Sequence, residues 1–378
     1  GLGGGVAADF MISKDLAAGT YYVSISGDQN TSDVDYNLES VFETKIIDLD
    51  PASAGSYYGL VRAQGRAFVG HLEITISEDG YYTGTLKLVS GAQRSIKGAI
   101  QPDNWASTPI NAYGQKSTLS FQSEKAVSGY YRLAGSIQPI INNGKYQSFK
   151  LFKAIYGSAK KSPVRLRGRY TMLAPFPTTS DLDLPAGDSF ASANLNALGT
   201  FNLAGYSSSG SKLTYSGVLL ETNKVSLYSR PENLLECLLG DLRFRDKETS
   251  DFSGNIRYSR KPSSGSYYSQ NFAKILAAEG SKYVSPSIDE LPLTDYILGD
   301  DNANSIFVGG LFGGVSYPIT WSADGLMKTT RTPAYRASAR FNTVNGRFNG
   351  NYFVSASDPD LADIRTYLRG VVLQKKGV

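Results

Sequence analysis

One histidine and one cysteine in 378 residues bound the chemistry this chain can do. A metal centre built on His and Cys needs several such ligands, so that class is nearly excluded. A Ser-His-Asp triad would have to use His71, and no serine sits in a Gly-x-Ser-x-Gly elbow. His71 follows Gly70 at the head of an alternating segment, HLEITIS, which supplies no partner for a base or a ligand. Cys237 lies in LLECLLGDL and reads as a small buried hydrophobe. It has no second cysteine to pair with, so stability must come from packing. Paired carboxylates are what glycoside cleavage requires, and Asp181/Asp183, Asp300/Asp301 and Asp358/Asp360 are candidate pairs. Each falls in a loop, where aspartate is ordinary turn chemistry, and none fits the D-x-[DN]-x-[DN]-G calcium loop. No Walker-type phosphate loop exists, and GGLFGG at Gly309–Gly314 stands in strand-like surroundings, not before a helix. These residues predict no catalytic set and no bound cofactor.

Consecutive tyrosines give a softer signal, at Tyr57/Tyr58, Tyr81/Tyr82, Tyr130/Tyr131 and Tyr267/Tyr268. Neighbours in a strand face opposite ways, so each pair either turns one ring outward or is buried on both faces. Outward rings stack on sugars or join subunits; inward ones stiffen hairpins. The net charge of +4 is small, and the densest basic stretch, Lys160 to Arg169, accompanies no nucleic-acid motif. It reads as a solvated linker. No run of eighteen apolar residues is present, so no transmembrane helix is expected.

The elements that must position these residues are strands. A phrase of an aromatic, one or two small or polar residues and usually a glycine recurs: YYGL at Tyr57, YYTGTL at Tyr81, YYRLAGSI at Tyr130, FSGNI at Phe252 and FNGNY at Phe348. Alternation in His71–Ser77 sets Leu72, Ile74 and Ile76 on one face, and Asp79-Gly80 turns the chain into Tyr81–Val89. Further strands are predicted at Gln93–Ile100, Ser117–Ser123, Tyr130–Gln138 and Tyr146–Ile155, and a longer series follows from Gly168 to Gln374. Phe272–Glu279, FAKILAAE, reads as one or two helical turns. The fold class expected is all-β, with antiparallel tandem β-barrel or β-sandwich modules joined by short hairpin turns. The chain divides at 1–50, 54–156 and 163–378, the last two reading as diverged copies of one unit joined by GSAKKSP.

Two segments carry family resemblances. The wording DF-x-I-x-x-x-L-x-x-GTYYV-x-I-x-G from Asp9, followed by YNL, resembles the last strands of the bacterial pre-peptidase C-terminal domain. That resemblance implies a secreted appendage and an incomplete sheet over Gly1–Asp50. Relatives of that module bind calcium, which would place the ion at Asp28, Asp33 and Asp35; the same loop also reads as solvated Asx turns. PAGDSF at Pro185, the glycine-spaced run to Gly217, DFSGNIRYSR at Asp251 and the ending RGVVLQKK resemble an uncharacterised β-rich module of large secreted or surface bacterial proteins. The implied setting is extracellular or at the cell surface, within a longer polypeptide cut at both ends. The implied partners are neighbouring modules, other subunits and glycans, with no nucleic acid. The function expected is a non-enzymatic structural or adhesive segment. The alternative is a carbohydrate-binding accessory region of a secreted hydrolase whose catalytic domain lies elsewhere.

Overall fold

The computed structural model describes residues 49–64, 67–101, 103–140, 146–157, 162–177, 181, 183–185, 187–231, 235–263, 268, 270–286, 304–308, 315–321, 326–329, 335–354 and 364–375. Asp28, Asp33 and Asp35, the sheet expected over Gly1–Asp50 (save Leu49 and Asp50), Asp300/Asp301, Asp358/Asp360 and Tyr267 lie outside these residues. The described residues are all-β and contain no α-helix.

Eight strands form the first sheet: β1 (Gly55–Ala63), β2 (Phe68–Ile76), β3 (Tyr81–Leu88), β4 (Gln93–Ala99), β5 (Trp105–Ala112), β6 (Gln115–Lys125), β7 (Tyr131–Pro139) and β8 (Gln147–Lys153). They pair in the order β4-β3-β2-β1-β8-β7-β6-β5, every pair antiparallel. This is an up-and-down barrel, nearly closed, with its seam between β4 and β5. The second sheet repeats the plan: β9 (Gly168–Ala174), β10 (Ser189–Leu195), β11 (Thr200–Tyr206), β12 (Lys212–Val218), β13 (Lys224–Ser229), β14 (Glu236–Phe244), β15 (Phe252–Arg260) and β16 (Phe272–Lys282). Its order is β12-β11-β10-β9-β16-β15-β14-β13, so the seam again lies between the fourth and fifth strands. Side chains bridge both seams. Arg94 donates to the Asn111 carbonyl at 2.5 Å in the first. In the second, Tyr215 and Ser229 donate to the carbonyls of Ser226 and Thr214 at 2.7 and 2.8 Å. A six-stranded meander follows: β17 (Asn304–Val308), β18 (Val315–Trp321), β19 (Leu326–Thr329), β20 (Tyr335–Asn342), β21 (Arg347–Val354) and β22 (Ile364–Val371).

Both barrels open in the same way. Gly55 and Gly168 hold φ of +134° and +151°, a region that favours glycine. Two residues on, Tyr57 and Tyr170 enter the interior and donate their hydroxyls back to the carbonyls of Ser53 and Leu166. The hydroxyl thus finds an acceptor where water is absent, and the ring fills the barrel.

The recurrent aromatic-glycine phrase has a steric cause. Tyr82, Phe252 and Phe348 lie directly opposite Gly98, Gly280 and Gly370 on the next strand, and their rings occupy the space a Cβ there would take. Two residues further along each aromatic strand, Gly84, Gly254 and Gly350 face the preceding strand. A Cβ there would come within 2.3, 1.8 and 2.0 Å of the carbonyl oxygens of Glu73, Asp241 and Ser338. One glycine is covered by a ring; the other lets two backbones close on each other, as a strongly coiled sheet needs.

Alternation fills both interiors with side chains. Leu72, Ile74, Ile76, Leu86, Phe121 and Leu151 pack in the first, with Tyr82 edge-on to Phe121 at 5.0 Å. An aromatic cluster of Tyr170, Phe201, Phe244 and Phe252 packs in the second, at ring separations of 5.1–6.4 Å. The barrels meet on outer faces. Leu60 and Phe68 of the first pack against Cys237 and Leu239 of the second, all buried. Tyr228 donates to the Leu88 carbonyl at 3.1 Å and Arg257 to that of Phe68 at 2.8 Å. Burial on both sides explains why alternation is lost over Glu236–Gly240 within LLECLLGDL.

One expectation of local structure is corrected, and two strands join those expected. Phe272–Glu279 is strand, not helix: β16 pairs with β15 on one side and β9 on the other, and Phe272, Leu276 and Ala278 alternate into the barrel. Tertiary pairing overrides alanine's helix preference. β5 and β10 were not expected. β5 carries Pro109, tolerated because the strand lies at the seam and pairs only with β6. β10, SFASANL, is too poor in β-branched residues to announce itself.

Candidate functional site

The residues singled out for chemistry are dispersed. His71 lies on β2 facing outward into the contact between the barrels, 2% exposed. Its Nδ1 is 3.5 Å from Glu73 Oε1 and its ring 6.1 Å from that of Tyr228. Burial lowers its pKa to about 4, against the opposing pull of Glu73. It is therefore a neutral packing group at neutral pH, enclosed on all sides. Cys237 is buried in the same contact, and burial pushes its thiol up to about 12, the opposite of an activated nucleophile. Asp181 accepts from the Asp183 amide at 3.0 Å, and Gln270 donates to Asp183 at 2.8 Å. That is turn chemistry. Among the described residues no three His, Cys, Asp or Glu groups come together as a metal cluster. Tyr81 and Tyr82 divide as a strand requires, Tyr81 outward and 54% exposed, Tyr82 buried.

The densest polar cluster is one the sequence did not signal. The turn Ser207–Ser211 folds over one end of the second barrel, where the Glu236 carboxylate is wholly buried. Ser207, Ser209 and Ser211 donate to it at 2.8, 2.5 and 3.1 Å, and Arg260 Nη1 approaches at 3.4 Å. A carboxylate among three serines has the residue types of a hydrolase. It lacks the geometry: every hydroxyl is spent on the carboxylate, no imidazole is near, and Ser207 and Glu236 are closed to solvent. The cluster seals the barrel end.

Two surface clefts stand out among the described residues, and their electrostatics differ. One, of about 360 Å³, includes Asp246, Asp251, Lys282 and Lys375. Lys375 Nζ lies 2.7 and 2.9 Å from the two carboxylates, which raise its pKa, and Asp246 is lowered mainly by the hydrogen bond from Lys375. Lys375 is thereby paired with both carboxylates, while Arg165 and Lys282 also line this cleft.

The other is a groove of about 480 Å³ between the second barrel and the six-stranded sheet. The β20–β21 hairpin builds it. Asn342 Oδ1 accepts from the amides of Val344 and Asn345 at 3.0 and 3.3 Å, and Asn345 Oδ1 accepts from Arg347 at 3.1 Å. Gly346 at φ +69° lets the tip lie against Tyr283 and Thr171, where a Cβ would come within 2.7–2.8 Å. Arg169 donates to the Val344 carbonyl and Tyr283 to that of Thr343, at 2.8 and 2.7 Å, so the hairpin is fixed to the barrel. Across it, the Arg369 guanidinium is held between two rings, 4.4 Å from the centroid of Tyr206 and 4.6 Å from that of Tyr367. Arg347 lies over Tyr206 at 5.6 Å. Neither arginine has a carboxylate partner among the described residues, and Asn349 and Asn351 complete a lining without an aliphatic side chain. Stacking holds a guanidinium by its faces and leaves its N–H edge for a ligand.

Sequence reasoning looked for consecutive tyrosines and missed Tyr206 and Tyr367, which stand alone and 161 positions apart (367 less 206). The only cue was FNGNY, with its alternating asparagines. No family model matches the chain, and no curated protein matches it in sequence.

Proposed function

We propose that this chain is a non-enzymatic segment of a secreted or cell-surface bacterial assembly, in which two filled β-barrels form the scaffold and the groove beside the second barrel forms the contact face. One observation carries this: the smaller cleft holds two carboxylates paired with Lys375, whereas Arg347 and Arg369 stand in the larger groove with no carboxylate partner among the described residues, stacked and positioned. Filled interiors leave no room for a ligand inside the barrels, as expected of small eight-stranded barrels. The resemblances at Asp9–Gly27 and Pro185–Gly217 support the extracellular setting. The tyrosines and asparagines of the groove suit a saccharide, which also favours the second reading, an accessory region of a secreted hydrolase acting from outside this chain. Co-sedimentation of the full chain with insoluble polysaccharides and cell-wall material tests the proposal. Binding without hydrolysis, reduced by Arg369→Gln, is the expected result. Turnover abolished by replacing Glu236 or Asp183 would overturn it, as would no binding to any of these materials.

A further inference from the structure

We infer that the groove recognises an acidic saccharide, a chain of hexuronate units, through a carboxylate held on the Arg369 edge. The inference rests on the reading of the groove as the contact face and adds the class of ligand. A guanidinium clamped between Tyr206 and Tyr367 has lost its rotational freedom before any ligand arrives, and its free edge presents parallel N–H donors spaced for two carboxylate oxygens. Arg347, on the same Tyr206 ring, adds a second positive charge. Two positive charges with no carboxylate partner among the described residues favour an anionic ligand over a neutral one.

The rest of the lining selects a sugar among anions. The Oδ1 atoms of Asn342 and Asn345 are committed to the hairpin amides, while their Nδ2 donors have no partner among the described residues. Asn349, exposed on β21, offers both donor and acceptor. Such amides match vicinal hydroxyls, which both donate and accept. Tyr367 is 64% exposed, so ring surface remains for the apolar face of a pyranose. An acidic peptide is the rival of matching charge. The groove has no aliphatic pocket in which a peptide side chain would be anchored, and such anchors carry most peptide affinity.

Calorimetric titration of the full chain with tri-galacturonate, a neutral trisaccharide of glucose, sodium sulfate and an Asp/Glu-rich peptide tests this. Tri-galacturonate should bind best. Arg369→Gln should weaken it about 10- to 100-fold, as loss of a charged bidentate contact does. Arg369→Lys should recover only part of that, and raising salt from about 0.05 to 0.5 M should weaken binding further. Arg167→Gln, which removes an exposed cation elsewhere, should change nothing. If Arg369→Gln lowers the melting temperature, Asn349→Ala, at an exposed position, should still weaken tri-galacturonate several-fold. Equal binding of acidic and neutral trisaccharides, insensitive to Arg369→Gln, would refute the acidic specificity and leave the saccharide contact standing. Sulfate or the acidic peptide binding as tightly as tri-galacturonate would refute the sugar. No binding of any probe, together with failure of the co-sedimentation, would remove both this inference and the contact face itself.

Discussion

Acid should loosen the contact between the two barrels through His71. The unfolded chain takes up a proton at this residue near the ordinary pKa of 6.5, whereas burial holds the folded imidazole neutral to about 4. As pH falls below 6.5 the unfolded state therefore gains a proton that the folded state refuses, and stability falls. At ~1.4 kcal/mol per pKa unit, the gap between 6.5 and about 4 is worth roughly 3 kcal/mol, fully lost once the pH reaches the folded value. Glu73 Oε1, 3.5 Å away, offsets part of the burial penalty; Lys87, which pairs with the same carboxylate at 2.6 Å, acts in the opposite sense. His71→Phe keeps a flat ring against Tyr228 and removes the titration. Carboxylates elsewhere titrate in both proteins, so the informative quantity is the difference between them. Urea unfolding at pH 7, 5.5 and 4.5 should show the parent losing stability faster than the variant, by a margin growing towards about 2–3 kcal/mol. Parallel pH profiles would refute the claim that the imidazole is enclosed at the barrel contact.

Other outcomes follow from single contacts. Gly254→Ala should cost about 3 kcal/mol or more, since its Cβ would fall 1.8 Å from the Asp241 carbonyl oxygen; thermal unfolding measures it. Tyr57→Phe and Tyr170→Phe should each cost about 1–2 kcal/mol in urea unfolding, and by similar amounts, because each strands the same kind of carbonyl at a barrel opening. Glu236→Ala should cost about 3–5 kcal/mol, because it leaves Arg260, 6% exposed, without its carboxylate. An unchanged melting temperature after that substitution would show the serine turn does not seal the barrel.

What the residues disclosed beforehand and what they hid have physical reasons. Alternation in HLEITIS and YYTGTL names the inward face directly, because a strand has period two and one face of each is dry. The aromatic-glycine phrase marks strands β3, β15 and β21, whose covered and close-approach glycines recur in both barrels and in the last sheet. Closure is harder to see. Pairing of β8 with β1 joins Tyr57 to Lys153, and no local pattern announces a partner so distant. FAKILAAE misled for a related reason: two flanking strands overrule helix preference. LLECLLGDL held a usable cue, since a run without alternation means burial on both faces and hence a second body against β14. The groove was beyond reach. Its residues come from β11, β20, β21 and β22, and only folding brings Arg369 to Tyr206.

A crystal of the full chain soaked with tri-galacturonate tests most directly the claim that filled barrels serve as scaffold and the groove as contact face. The sugar is expected in the groove against the exposed surface of Tyr367, one carboxylate within hydrogen-bond distance of the Arg369 guanidinium, with both barrel interiors unchanged. A sugar seated inside a barrel, or in the cleft of Asp246 and Lys375, with the groove empty, would contradict it.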